Sequence, residues 1–324
     1  MGDVVLERVE ARGDPEWESF LDGETDGTLF HRLSFLAYHP PGRFRAHALK
    51  ARSGGRLIAV LPIADGEGDS LGGLSTPYGG SFGGFACVAG LGATEHLALL
   101  DALLDWARAG RYASLWVSSR PPPYRIQGDG AEFALGLRGG QVVRREVTHI
   151  ADLRGEEEAV RARVRGTSRR GARKAERLGT VVRVGGTEDL SPFHGLLAAD
   201  RARLGAVPTH SLADLRTLAS ARPGDFLLLV AENDGENVGG LLLFRATPRV
   251  ALSFYTARSE SPKAERCMNL LTERALSECR TRGYEWLDFG TSSIGGVLNP
   301  GLSEFKEGFG GLPFVRETWR LELA

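Results

Sequence analysis

The sequence predicts an α/β (α+β) protein of two tandem domains, each a mixed and mainly antiparallel sheet flanked by helices. Three observations predict it. Two distant stretches share one helix–turn–strand pattern, a two-strand hairpin precedes each, and the composition excludes other ways of organising a chain of 324 residues.

The shared pattern occupies residues 99–119 and 271–293, each a helix, a Gly/Tyr turn, a short strand and a Ser-Ser pair. Leu97, Leu100, Leu104 and Ala107 fall on one helical face; Met268, Leu271, Ala275 and Cys279 do so in the second helix. Gly110 and Gly283 stand where each helix would end in a left-handed residue. Upstream, residues 47–64 are two apolar runs around Gly54-Gly55, and residues 226–244 are two more around Asp234-Gly235, both hairpin patterns. A third strand, 250–257, precedes the second helix. A duplication with an offset of about 170 residues is the simplest account, with domains over 1–150 and 151–324.

Forty Lys and Arg balance 41 Asp and Glu, for a formal net charge of −1, so the chain is not a uniformly basic nucleic-acid binder. Cys87, Cys267 and Cys279 form no Cys-x-x-Cys pair, and the seven histidines show no His-x-x-x-His spacing, so no metal site is expected. No run reaches the ~20 apolar residues of a membrane span, and the start has no basic-then-apolar leader. A cytoplasmic protein without a tightly bound cofactor is expected. Only Lys50, Lys174, Lys263 and Lys306 are lysines, which draws attention to a lysine inside a motif.

Residues 284–311 hold such a motif. A strand ends at Asp288-Phe289-Gly290, a glycine-rich loop follows, and Phe305-Lys306 precedes Gly308-Phe309-Gly310-Gly311. Residues 161–183 form a basic run, in which Arg161, Arg165, Arg169, Arg173 and Arg177 recur every fourth residue. In a helix they form one slowly drifting stripe, interrupted at Gly166-Thr167-Ser168, with Ser168 as the expected N-cap. The stripe either holds phosphates or is a solvated face offset by Glu156, Glu157 and Glu158; Arg169, Arg173 and Lys174 are its candidate binding residues.

The strand ending in Asp-Phe-Gly with Phe305, Lys306, Phe309 and Gly310 resembles the C-terminal signature of FemAB-type peptidyltransferases. Phe254-Tyr255 and Asn269-Leu270-Leu271 fit the same family, as do Phe30-His31, Phe35-Leu36, Leu61-Pro62, Ser75-x-Pro77, Gly79-Gly80 and Gly83-Gly84 in the first half. The resemblance covers nearly the whole chain and implies two tandem GNAT-like domains. It also implies an acyl transfer to an amine acceptor: a cell-wall precursor, an amino sugar or another small molecule. The donor implied first is aminoacyl-tRNA, making tRNA a partner; acyl-CoA is the alternative.

Acyl transfer to an amine builds a negatively charged tetrahedral oxygen, which a fixed cation stabilises by several kcal/mol. The resemblance puts Lys306 at that centre, with Phe305 and Phe309 wedging its loop and Tyr255 on the acceptor; the alternatives are a solvated surface lysine and a tyrosine packed in the core with its hydroxyl satisfied. Asp288 is a candidate for taking the amine's proton, with loop pinning as the alternative. His210 is a candidate acceptor contact or a solvated loop histidine, while Asn269 and Tyr78 complete the candidate substrate-binding residues. Two departures stand out. Residues 256–266, where CoA-binding relatives present a glycine-rich pyrophosphate loop, contain no glycine, and Tyr38-His39 replaces a lysine of precursor-binding members. A non-catalytic binding protein on a duplicated GNAT fold is the reading of another class.

Overall fold

A computed structural model describes residues 3–323 apart from Arg12, 67–71, Gln127 and Leu204. The chain divides into two compact units: the stretch up to Glu146 together with Val315 onward, and the continuous stretch Val147–Phe314.

The first unit opens with β1 (Val4–Val9), α1 (Pro15–Asp22) and α2 (Leu33–Leu36). Its sheet continues with β2 (Ala46–Ser53), β3 (Arg56–Asp65), β4 (Gly73–Thr76) and the two-residue β5 (Ala86–Cys87). Then come α3 (Ala93–Ala109), β6 (Ser114–Ser118), α4 (Gly130–Leu137) and β7 (Gln141–Asp152), which runs on into the second unit. β1, β2 and β3 form an antiparallel meander, β4 pairs antiparallel with β3, and β4 and β6 run parallel, with α3 as the crossover between them. Leu49, Leu61, Leu74 and Leu115 of the sheet pack on Leu100, Leu104 and Ala107 of α3, as the helical periodicity predicts. Each fully buried leucine contributes ~1.5–3 kcal/mol.

α3 ends differently from the expectation. Gly110 keeps φ −75°, and the left-handed position falls one residue later, on Arg111 at φ 60°. The reason is local: a Cβ on Gly110 would lie 2.7 Å from the Tyr112 ring, so the glycine answers a close approach rather than a dihedral. Gly83 answers a tighter one, since its Cβ would fall 2.3 Å from the Thr76 carbonyl carbon and the Pro77 nitrogen. Backbone cannot swing aside as a side chain does, so Gly83→Ala is expected to destabilise the first unit by about 3 kcal/mol, the upper range for overpacking; urea unfolding measures it.

The second unit continues from β7 with α5 (Glu157–Ala162), α6 (Gly166–Arg177), β8 (Val181–Val184), α7 (Leu190–Ala202) and α8 (Leu212–Ala221). β9 (Phe226–Asn233), β10 (Glu236–Arg245) and β11 (Val250–Arg258) follow, then α9 (Cys267–Thr281) and β12 (Trp286–Thr291). A small hairpin, β13 (Ser293–Ile294) and β14 (Val297–Leu298), leads to α10 (Pro300–Gly308) and β15 (Gly311–Glu322). The strand order is β7-β12-β11-β10-β9-β8. Asp234 (φ 48°) and Gly235 (φ 74°) make the predicted β9–β10 turn, both central residues being left-handed as that hairpin type requires. Leu271, Ala275 and Cys279 of α9 are buried against Leu241, Leu243 and Leu287.

The sequence pattern places the last residues in the second domain, whereas the structure returns Val315 onward to the first unit. The register explains it: Thr318–Glu322 of β15 pair antiparallel with Ser114–Ser118 of β6, and Leu321 joins the first unit's core.

Candidate functional site

β11 and β12 are the first determinants of the site. They pair in parallel only over Val250–Leu252 and Trp286–Asp288, although β11 continues to Arg258 and β12 to Thr291. Beyond Leu252 and Asp288 the two strands are no longer hydrogen-bonded partners, and a wedge opens between them. Irregularities lie on both sides of it. The β10–β11 register slips between Leu242 and Leu243, leaving Phe254 as an extra residue beside Tyr255, and the β12–β7 register slips between Asp288 and Thr291. Such bulges re-aim side chains and end pairing.

Asp288 has no exposed surface. Its Oδ1 accepts the Thr148 hydroxyl at 2.5 Å and the Gly290 N–H at 2.8 Å, so the carboxylate fixes the turn that ends β12. This geometry matches loop pinning; a base for an incoming amine has to reach that amine, and Asp288 is fully buried with its Oδ1 already engaged. Lys306, on the last turn of α10, is buried at 6% exposure. Its Nζ donates to the Gly290 carbonyl at 2.8 Å and the Thr291 carbonyl at 2.6 Å. Lys306 is thus no solvated surface lysine but a buried cation at the wedge end of β12.

The sequence explains why α10 holds there. Asn299 caps it, accepting the Leu302 N–H at 3.0 Å, and Pro300 occupies the first helical position. Phe309 is 1% exposed, and its ring meets that of the partly buried Phe305 at 5.1 Å. The Gly308 carbonyl accepts the Arg165 N–H at 2.8 Å, and a Cβ on Gly308 would fall 2.5 Å from Ser168 Oγ. Ser168 is accordingly not the expected N-cap. α6 starts at Gly166 with Arg165 as N-cap, and Ser168 lies buried inside the first turn, against Gly308.

Tyr255 and His210 come together. The Tyr255 hydroxyl accepts the His210 backbone N–H at 3.1 Å and shares a hydrogen bond with His210 Nδ1 at 2.8 Å. Both are buried, and Phe254 stacks beside them, 4.7 Å from Tyr255 and 5.4 Å from His210. His210 is therefore not the solvated loop histidine of the sequence alternative. Burial holds the Tyr255 phenol above its ordinary pKa, so it stays a neutral hydrogen-bonding group.

The basic run splits into two helices, broken at 163–165, so the fourth-residue stripe is not continuous. Arg165 pairs with Glu307, Lys174 with Glu265, and Arg163 with Asp152. Among the described residues, Arg161, Arg169, Arg170, Arg173 and Arg177 have no carboxylate within ion-pair distance. α6 packs on α9, where Asn269 fills the space a side chain at Gly171 would occupy, 2.8 Å from that Cβ position. Asn269 thus serves a helix–helix contact. The connection from β11 to α9 turns through Arg266 at φ 62° without a glycine, and Arg266 is the N-cap of α9. Tyr78 belongs to the first unit, where it packs with Phe44 and burial pushes its phenol up to about 12.

Sequence reasoning missed His149, Ser292, Ser303 and Glu307, which adjoin Lys306. His149 is 1% exposed, with Nδ1 at 3.0 Å from Ser292 Oγ and Nε2 at 3.1 Å from Ser303 Oγ. Among the described residues no helix is long and apolar enough to cross a membrane, and no group of three or more His, Cys, Asp or Glu is placed to hold a metal ion.

The wedge, the bulge beside Tyr255 and the buried lysine all lie in the segment 162–307, which matches the sequence profile of the acetyltransferase (GNAT) domain family. Over that segment the chain is similar to GNAT domains. Beyond this segment, the chain as a whole shares its fold with solved structures of low identity. FemX is 14% identical, with 98% of this chain and 97% of that one covered at a TM-score of 0.73. L-PGS from Bacillus licheniformis is 14% identical, covering 97% and 93% at 0.61. A tandem GNAT protein from the clavulanic acid biosynthesis pathway is 16% identical, covering 99% of both chains at 0.57. No curated protein matches the sequence. The fold is thus shared with FemX and the tandem GNAT protein, and the segment similar to GNAT domains carries Lys306, Tyr255 and the arginines of α6.

Proposed function

We propose that this acyltransferase forms an amide on an amine acceptor and takes its acyl group from an aminoacyl-tRNA. One observation carries the choice of donor: five arginines of the α5–α6 region, Arg161, Arg169, Arg170, Arg173 and Arg177, have no carboxylate within ion-pair distance among the described residues, on a chain that pairs most of its other cations. Guanidinium groups outside direct ion pairs on one helical region suit a polyphosphate backbone, although Glu273 lies in the field of Arg161, Arg169 and Arg173.

In the reaction, the acceptor's nitrogen lone pair attacks the acyl carbonyl. The C–N bond forms, the ester C–O bond breaks, the ribose hydroxyl leaves, and the nitrogen gives up one proton. Lys306 supplies positive charge at the developing oxyanion or the donor's phosphate. Buried as it is, that charge acts in surroundings where it stabilises an anion by more than it would in water. The β11 backbone beyond Leu252, on the side no longer paired with β12, offers hydrogen bonds to the donor's acyl portion, and the Tyr255–His210 pair contributes a neutral polar contact to the acceptor.

A second reading, acyl-CoA as donor, is favoured by the acetyltransferase description of the matching family. The β11–α9 connection, which lacks glycine and is capped by Arg266, speaks against it, since a pyrophosphate needs closely approaching backbone N–H groups. Filter binding and thermal shift with CoA, acetyl-CoA and a pool of aminoacyl-tRNA decide between the two. If three of the five arginines contact phosphate, tRNA affinity should fall by roughly two powers of ten for a tenfold rise in salt, with no response to CoA. A CoA shift without tRNA retention overturns the proposed donor.

A further inference from the structure

We propose that His149 is a positioning residue for Lys306, holding its cradle together by bridging Ser292 and Ser303. The inference rests on the reading of Lys306 as the reaction-centre cation, yet its test below does not use turnover.

Lys306 bridges two parts of the second unit: α10, which carries it, and the Gly290–Thr291 backbone, which its ammonium grips. His149, on β7, bridges the same two parts from the opposite side. Its Nδ1 meets Ser292, the residue after Thr291, and its Nε2 meets Ser303, one helical turn before Lys306. The direction of these bonds is fixed from one end. The Ser303 hydroxyl donates to Glu307 Oε1 at 2.9 Å, so its oxygen can only accept from His149, and Nε2 carries the proton. Nδ1 is then unprotonated and accepts the Ser292 hydroxyl. The chain Ser292–His149–Ser303–Glu307 thus donates in one direction and ends on a carboxylate that also pairs with Arg165 of α6 at 3.2 Å.

A second proton on the imidazole reverses only the bond to Ser292, whose hydroxyl rotates about its Cβ–Oγ bond and accepts from Nδ1, so the bridge to the backbone next to Thr291 is kept. The charged groups facing His149 are Lys306 and Glu307 from α10 and Asp288 from β12, with Arg165 reaching it through Glu307. Burial and the Lys306 charge both hold the imidazole below its ordinary pKa of 6.5.

The scarcity of lysine makes this directly observable. In full-length protein carrying 13C-labelled lysine, the four lysines give four sets of Cε–Hε signals, and Lys306→Arg identifies the one of interest. An immobilised lysine shows two distinct Hε shifts, and a mobile one shows them merged. Lys50, equally buried between Asp14 and Glu16 in the first unit, is the internal reference. The Lys306 splitting is expected to fall by at least half in His149→Phe and in Ser292→Ala, and to persist in Ser292→Thr. Lys50 should keep its splitting throughout. If His149→Phe does not fold, the Ser292→Ala and Ser292→Thr pair decides. An unchanged Lys306 splitting in Ser292→Ala, or an equal loss at Lys50, overturns the proposal. Because none of these signals depends on a substrate, they stand whether or not the donor proves to be a tRNA.

Discussion

Lys306→Met is expected to lower acyl-transfer turnover by about 10²–10³-fold, the usual effect of removing one preorganised group at an oxyanion. Methionine keeps the length and the apolar stem but removes the charge and all three donors. The Gly290 and Thr291 carbonyls then lose their partner, which costs about 1–3 kcal/mol for each buried group left unsatisfied. The variant should therefore fold at reduced stability and bind donor with little change, because the α6 arginines are untouched. A single-turnover rate at saturating donor, set beside a urea denaturation curve, separates the two effects. Full turnover in the folded variant would remove Lys306 from the chemistry and leave it a structural clamp. Lys306→Arg is not expected to restore the rate, since a planar guanidinium cannot reproduce the same pair of carbonyl contacts from a longer side chain.

The second large effect is acid sensitivity of the first unit, centred on His31. This histidine has no exposed surface. Its Nδ1 faces the Thr28 N–H at 3.1 Å and the Thr28 hydroxyl at 2.9 Å, while its Nε2 bonds to the Gly84 carbonyl at 3.1 Å. The ring is satisfied as a neutral imidazole with its proton on Nε2. A second proton on Nδ1 would point at a backbone donor. Burial first, and the nearby Arg120 second, hold its pKa down to about 3. The unfolded chain takes up that proton below pH 6.5 while the folded chain does not, so stability is complete above 6.5 and declines as pH falls towards 3. The loss amounts to about 2 kcal/mol at pH 5 and to about 5 kcal/mol near the folded pKa. Urea unfolding at pH 7 and pH 5 should show the loss, and His31→Gln should reduce it by about 2 kcal/mol at pH 5. An imidazole signal from His31 that titrates above pH 5 in the folded protein would overturn this account.

The parts of the structure that follow from local chemistry were readable in the residues. Gly54-Gly55 and Asp234-Gly235 gave both hairpins because few other pairs tolerate two left-handed residues, and the apolar faces of α3 and α9 gave both crossover helices. Lys306 was legible because its neighbours Phe305, Phe309 and Gly310 have fixed spacing. What was hidden depends on contacts far apart in sequence. His149 lies 143 residues from Ser292 and 154 from Ser303, and no periodicity connects a strand histidine to two serines in a loop and a helix. The register slip beside Tyr255 left no compositional trace, because the extra residue, Phe254, is as good a strand former as its neighbours. Ser168 looked like a cap because serine commonly is one; the contact with Gly308 that buries it belongs to a helix more than a hundred residues later.

The return of β15 to β6 bears on the order in which the protein can be made. The second unit is one uninterrupted stretch, whereas the first is assembled from two stretches that flank it. As the chain leaves the ribosome, all of Val147–Phe314 emerges before the strand segment Thr318–Glu322 that completes the first unit's sheet. Domains fold as units during synthesis, so the later-coded unit can finish first. The earlier-coded one must wait with β6 lacking its partner along one edge, where it depends on whatever shields an unpaired strand until the last residues arrive.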